Sequence, residues 1–170
     1  MNLDNAALFN GAGGTPVDVG LLHPGNAVRV EAWINLDPSA NKGFHSAVSR
    51  WDGSYELDIN QQVSGNLGNF VLRNQAHAFG LAARTAPVTR GPWHQMVGIL
   101  NAGTVTVYLD GVQGTSPPIT GVLQDAGPSQ ARILIGATRD DFASSLNSTG
   151  LIDEVAIYNY ALTQAQIDAH

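Results

Sequence analysis

Apolar and polar residues alternate along this chain in short stretches, and the alternation returns every roughly 8–12 residues between turn signals, as in a β-sandwich. The pattern predicts strands at 6–10, 15–19, 27–36, 45–51, 54–61, 67–73, 78–83, 93–101, 103–110, 112–115, 131–137 and 150–160. Turns fall at Pro24-Gly25, Asp52-Gly53, Ser64-Gly65, Asn101-Ala-Gly103 and Asp110-Gly111, where glycine and short polar side chains tolerate reversed backbone. Asn101-Ala-Gly103 joins two strong strands and marks the firmest hairpin. Only 163–169 reads as helix: Thr163 and Gln166, three apart before Ile167, form a capping-box signature. The stretches 116–130 and 138–149 have no strand period and read as long loops, which a rigid sandwich can present for function. No repeat, linker or charge run interrupts residues 1–170, which are expected to form a single domain, excised from a larger protein that carries further domains.

Composition narrows the function. Only 13% of residues are charged, about half the usual share, and 19 glycines and 8 prolines suit a turn-rich all-β chain. A net charge of −6, with Lys42 the sole lysine, argues against nucleic acid and against an anionic membrane surface. A neutral ligand such as a sugar stays open. With no cysteine, neither a disulfide nor a thiolate metal site is available. No apolar run is long enough to insert in a membrane as a helix.

The chain closes on Gly150-Leu-Ile-Asp-Glu-Val-Ala-Ile-Tyr-Asn-Tyr-Ala-Leu162, a small-residue entry followed by a period-2 strand. Upstream stand Ala7-Leu-Phe-Asn-Gly11, Val28-Arg-Val-Glu-Ala-Trp-Ile34, Gly91-Pro-Trp-His94, Val105-Thr-Val-Tyr-Leu-Asp-Gly111 and Ile133-Leu-Ile-Gly-Ala137. In this order the six pieces resemble the laminin-G-like branch of the concanavalin A-like lectin/glucanase superfamily. The resemblance implies an antiparallel two-sheet jelly-roll β-sandwich with a short C-terminal helical turn. It also implies a module that binds more often than it catalyses, and a secreted, extracellular setting. Fold alone does not name a ligand.

Several residue groups carry candidate chemistry. Glu56, Asp58 and Asn60 share one face of a strand, as do the catalytic acids of related laminarinase-type glucanases. A retaining glycosidase needs a second carboxyl group as acid, and Asn60 stands where that group would be. The histidines at 23, 45, 77, 94 and 170 lie far apart, without zinc spacing, and no nucleophile elbow exists. His94 reads as a packed or half-exposed strand histidine. The resemblance implies a structural calcium joining the opening and closing strands, which here would use Asn10 and Asp153; oxygen ligands of this kind suit calcium. Asp140-Asp141 is a looser alternative.

Trp51 is the aromatic best placed for a ligand, directly before the Asp52-Gly53 turn. An indole stacks on the apolar face of a sugar ring, and neighbouring charged or amide groups bind hydroxyls. The ligand-binding set is therefore Trp51, Arg50, Asp52, Tyr55, Arg73, Asn74, His77 and Arg139, gathered at a rim rather than on the middle of either sheet. Trp33 and Trp93 lie within long strands and read as structural. Three functions remain: a non-catalytic carbohydrate-binding, lectin-like module; a structural or adhesion module for protein partners; and a glycan hydrolase or lyase. The first is expected, with a polysaccharide or glycan as partner and a structural calcium as candidate cofactor.

Overall fold

The computed structural model describes residues 6–11, 16–21, 27–40, 43–50, 55–60, 65–72, 82–115, 118, 132–138, 147–160 and 164–167. Among the described residues there are twelve strands: β1 (Ala7–Asn10), β2 (Val17–Leu21), β3 (Val28–Leu36), β4 (Phe44–Arg50), β5 (Tyr55–Asn60), β6 (Leu67–Leu72), β7 (Ala82–Pro87), β8 (Trp93–Asn101), β9 (Thr104–Leu109), β10 (Val112–Gln113), β11 (Arg132–Ile135) and β12 (Thr149–Tyr158). A single helical turn, α1 (Gln164–Ile167), follows. Every strand pairing is antiparallel. The first sheet runs β1-β12-β3-β8-β9-β10 and the second β2-β11-β4-β5-β6-β7. This is the expected all-β jelly-roll sandwich.

Alternation sets the inner faces. Val28, Val30, Ala32, Ile34 and Leu36 of β3 enter one core with Tyr55, Leu57 and Ile59 of β5 and Val105, Val107 and Leu109 of β9. The two sheets lock through glycines. A Cβ on Gly98 of β8 would lie 2.3 Å from the Phe70 ring of β6, and one on Gly68 of β6 would lie 2.6 Å from the Met96 methyl of β8. Each missing side chain is therefore a socket for a large one from the opposite sheet. The hairpins behave as predicted. Ala102 and Gly103, and again Asp110 and Gly111, all have positive φ, and each pair closes a two-residue loop of the type that matches strand twist.

Two strand positions differ from the sequence reading. β2 begins at 17 and β7 spans 82–87, later than the apolar run at 78–83 suggested. In β7 the pairing partners of β6 are Ala82, Ala83, Arg84 and Pro87. Pro87 fits there because β7 is an edge strand, where a missing N–H leaves no ladder bond unmade.

Candidate functional site

Strand register draws several chain segments to one rim of the second sheet. Arg50 pairs with Tyr55, and Tyr55 pairs with Leu72. Beside them, Thr138 donates its hydroxyl to Glu56 at 2.5 Å, and its carbonyl accepts the Ser49 hydroxyl at 2.8 Å. Arg50, Leu72 and Thr138 are each followed directly in sequence by an expected ligand residue: Trp51, Arg73 and Arg139. Trp51, Asp52, Arg73, Asn74, His77 and Arg139 themselves lie outside the described residues, as do Asp140 and Asp141.

Two members of the expected ligand set are corrected. Tyr55 is 1% exposed and its ring meets Phe70 at 6.1 Å, because it occupies the inward phase of β5 with Leu57 and Ile59. Burial pushes its phenol well up, and its hydroxyl has no hydrogen-bond partner among the described residues. Arg50 is 3% exposed. Neither side chain is available at an open rim.

The outward phase of β5 is polar, as the alternation requires, yet it too is buried. Glu56 and Asp58 face Ser49 and Ser46 across β4, and Asp58 faces Asn69 across β6. All five are 3% exposed or less. Asn69 donates its amide to Asp58 at 2.7 Å. Burial above all, and then the neighbouring Glu56 charge, raise the Asp58 carboxyl well above the ordinary range, while the Asn69 bond and Arg84 oppose the rise. Hydrogen bonds engage Glu56, Asp58 and Ser49, whereas Ser46 Oγ and Asn69 Oδ1 are buried without a partner among the described residues. Asn60, next on the same phase of β5, is an amide rather than an acid, so the strip has a carboxyl pair on one strand and no acid across from it among the described residues.

The calcium pair does not fit. β1 does pair with β12, but Asn10 lies opposite Thr149, four residues along β12 from Asp153. At about 3.3 Å per residue that is roughly 13 Å, too far for one ion to take both side chains at 2.3–2.6 Å. Asp153 instead accepts the Glu154 backbone N–H at 2.8 Å. Among the described residues no group of three or more acidic, histidine or cysteine side chains gathers for a metal.

His94 is not simply packed. Its Nε2 meets the Thr89 hydroxyl and its Nδ1 meets Asp110, both at 2.7 Å, while the other Asp110 oxygen accepts the Gln95 N–H at 2.9 Å. A hydroxyl–imidazole–carboxylate chain resembles a hydrolytic triad in outline. Asp110 sits in the β9–β10 turn with positive φ, so the chain ties that turn to β8. The nearby Gly91 N–H, a possible oxyanion donor, is spent on Leu36 O at 2.8 Å. The arrangement therefore reads as a turn clamp.

Trp33, read from the sequence as structural, is also a surface residue. Its neighbours Ala32 and Ile34 point into the core, so the indole faces outward and is only half-buried, where it lines a groove on the first sheet. The period-2 pattern of β3 already contained that signal.

A family model of laminin G type, described as the concanavalin A-like lectin/glucanases superfamily, matches residues 9–168. The chain belongs to this superfamily. Comparison with curated protein sequences finds no match. Among solved structures, one similar fold is domain 4 of AbnA, a GH43 extracellular arabinanase from Geobacillus stearothermophilus, in complex with arabinotriose. It is 22% identical with a TM-score of 0.66, over 96% of this chain and 75% of that one. The CBM40 of the Ruminococcus gnavus IT-sialidase is 11% identical with a TM-score of 0.70, over 96% and 95%. A heptameric SAP-like pentraxin from Limulus polyphemus is 16% identical with a TM-score of 0.66, over 95% and 78%. At these identities the likeness is one of fold.

Proposed function

We propose that this domain is a non-catalytic carbohydrate-binding module of an extracellular protein, with its principal glycan site at the β4–β5 rim. The observation that carries the reading is the register of β4, β5 and β6 beside Thr138, from which the chain passes directly to Trp51, Arg73 and Arg139. Of the expected side chains, Trp51 supplies the stacking surface, and Arg73, Asn74 and Arg139 supply donors for hydroxyls. Arg50 and Tyr55 hold the rim from beneath. The non-catalytic part rests on Asn60 and on the hydrogen bonds that commit Glu56 and Asp58. Solved relatives of this fold in complex with arabinotriose or belonging to a sialidase support the choice of glycans.

A glycan-array screen of the wild-type domain, followed by titration of the best ligand, tests this. Trp51→Ala is expected to cost about 1–3 kcal/mol of affinity, as a stacked hot spot should, with little loss of melting temperature. Unchanged affinity with a large drop in melting temperature would place the indole in the core and end the rim reading.

A second reading has its own observation. Edge strand β2 exposes Val17, Val19 and Leu21, each about half exposed or more. An apolar edge of this kind suits contact with a protein partner, as in a structural or adhesion module. A protein partner lost on Val19→Lys, with an empty glycan array, would favour it.

A further inference from the structure

The outer face of the first sheet contains an open groove of about 270 Å³, far from the rim in the fold. Its origin is local. β12 slips register against β3 between Asp153 and Ala156, so Glu154 and Val155 have no partner on β3. Glu154 adopts φ +46°, a left-handed conformation uncommon for a residue with a Cβ. The slip breaks the row of cross-strand side chains between Trp33 and Glu31, and Ala156, opposite Glu31, offers only a methyl group to fill it.

The lining has a definite chemistry. Trp33 and Tyr158 wall the groove, Glu31 and Gln95 line it from β3 and β8, and exposed Glu154 stands on the bulge. Glu31 is held in place: Arg29, 1% exposed, forms an ion pair with it and lies 4.8 Å from the centre of the Tyr158 ring. Arg29 thus neutralises Glu31 without entering the groove's lining. The formal charge left at the opening is the Glu154 carboxylate, with Asp153 beside it.

These features select a ligand. An indole face suits the apolar side of a sugar ring, and the Gln95 amide and Glu31 carboxylate can bond hydroxyls. The volume lies just below the roughly 300–1,000 Å³ of sites for drug-sized molecules, the scale of one sugar residue. An acidic sugar would meet like charge at Glu154, whereas an ammonium group would meet a carboxylate beside aromatic rings. We infer that this groove is a second glycan site, separate from the rim, that takes a single amine-bearing or uncharged sugar residue and disfavours acidic ones. The inference rests on the carbohydrate-binding reading for the choice of sugars among small polyols.

The test is a residue-resolved NMR titration of the intact chain with methyl β-glucosaminide, methyl β-glucoside and methyl β-glucuronide. The same titrations are run on Trp51→Ala, Trp33→Ala and Glu154→Gln. All three sugars are expected to shift the amides of Glu31, Trp33, Gln95 and Ala156, with the glucuronide binding about twofold to fivefold more weakly than the glucoside, the range of one exposed charge pair. Glu154→Gln should weaken the glucosaminide by about twofold to fivefold, the range of an exposed ion pair, and the glucoside hardly at all. Trp51→Ala should leave the groove shifts intact. Should Trp33→Ala lose stability, the exposed Glu154→Gln still decides. Silent groove amides, equal glucuronide binding, or groove shifts that vanish in Trp51→Ala would each overturn the inference. Rim shifts beside a silent groove would leave the proposed function standing. Groove shifts beside a silent rim would do the reverse.

Discussion

On the outer face of the second sheet, Glu56, Asp58, Asn69, Ser46 and Ser49 are all buried; Asn69 donates to Asp58, and Thr138 joins Glu56 to Ser49, while Ser46 Oγ and Asn69 Oδ1 find no partner among the described residues. On the outer face of the first sheet, a bulge leaves Trp33 half-buried and Glu154 exposed around an open groove. Both faces follow from period-2 alternation, which sends polar residues outward whatever they meet there. Burial decides the rest. The hydrogen bonds that a closed polar face does make are costly to break, whereas an open face can exchange its water for a ligand.

The core between the faces sets the upper end of the scale. Phe70→Ala removes the ring that fills the Gly98 socket and should cost about 3–5 kcal/mol in chemical denaturation. If it costs no more than substitutions on either outer face, the sheets are not locked as described. Next comes the closed face. Asn69→Ala takes the amide donor from Asp58 and should cost about 1–3 kcal/mol, against less than about 0.5 kcal/mol for Glu154→Gln on the open face. Equal losses would erase the contrast between the two faces.

The closed face should also respond to pH. The folded state raises the Asp58 pKa, so it keeps a proton that the unfolded chain releases in the ordinary carboxylate range. This contribution is fully present below the unfolded value and is lost as pH rises through the folded one. Asp58→Asn keeps an acceptor for Asn69 and has no proton to lose. Its melting temperature, relative to wild type, should therefore climb as pH rises from about 4 to 8; a constant difference would show that Asp58 is solvated. The smallest effect belongs to Tyr55→Phe. Deleting a buried hydroxyl that lacks a partner should leave stability unchanged or slightly raised. Glycan affinity should not move, and a tenfold loss would return Tyr55 to the binding set.

Much of this was legible in the residues. Turn glycines and apolar alternation located the strands, since these patterns report backbone φ and a buried face directly. The two-sheet jelly-roll sandwich was carried by the family resemblance, and the order of the strands within each sheet was not. Alternation was also enough to turn Trp33 outward, although a tryptophan in a long strand invites a core assignment. The sequence could not show that Arg50 and the outward phase of β5 are covered, because burial depends on which segments fold over a sheet. It could not show the offset of Asn10 from Asp153 either. That offset comes from the β1–β12 register, a property of two strands 140 residues apart in the chain. The β12 bulge is equally silent, since nothing in Asp153-Glu-Val-Ala156 requires a non-glycine residue to turn left-handed.

Amide hydrogen exchange with and without saturating glycan decides whether the principal glycan site is the rim or the middle of the second sheet. New protection is expected around residues 49–55, 71–74 and 137–139, with the centre of β5 unchanged. Protection centred on Asp58, Ile59 and Asn60, with the rim unaffected, would contradict the rim site.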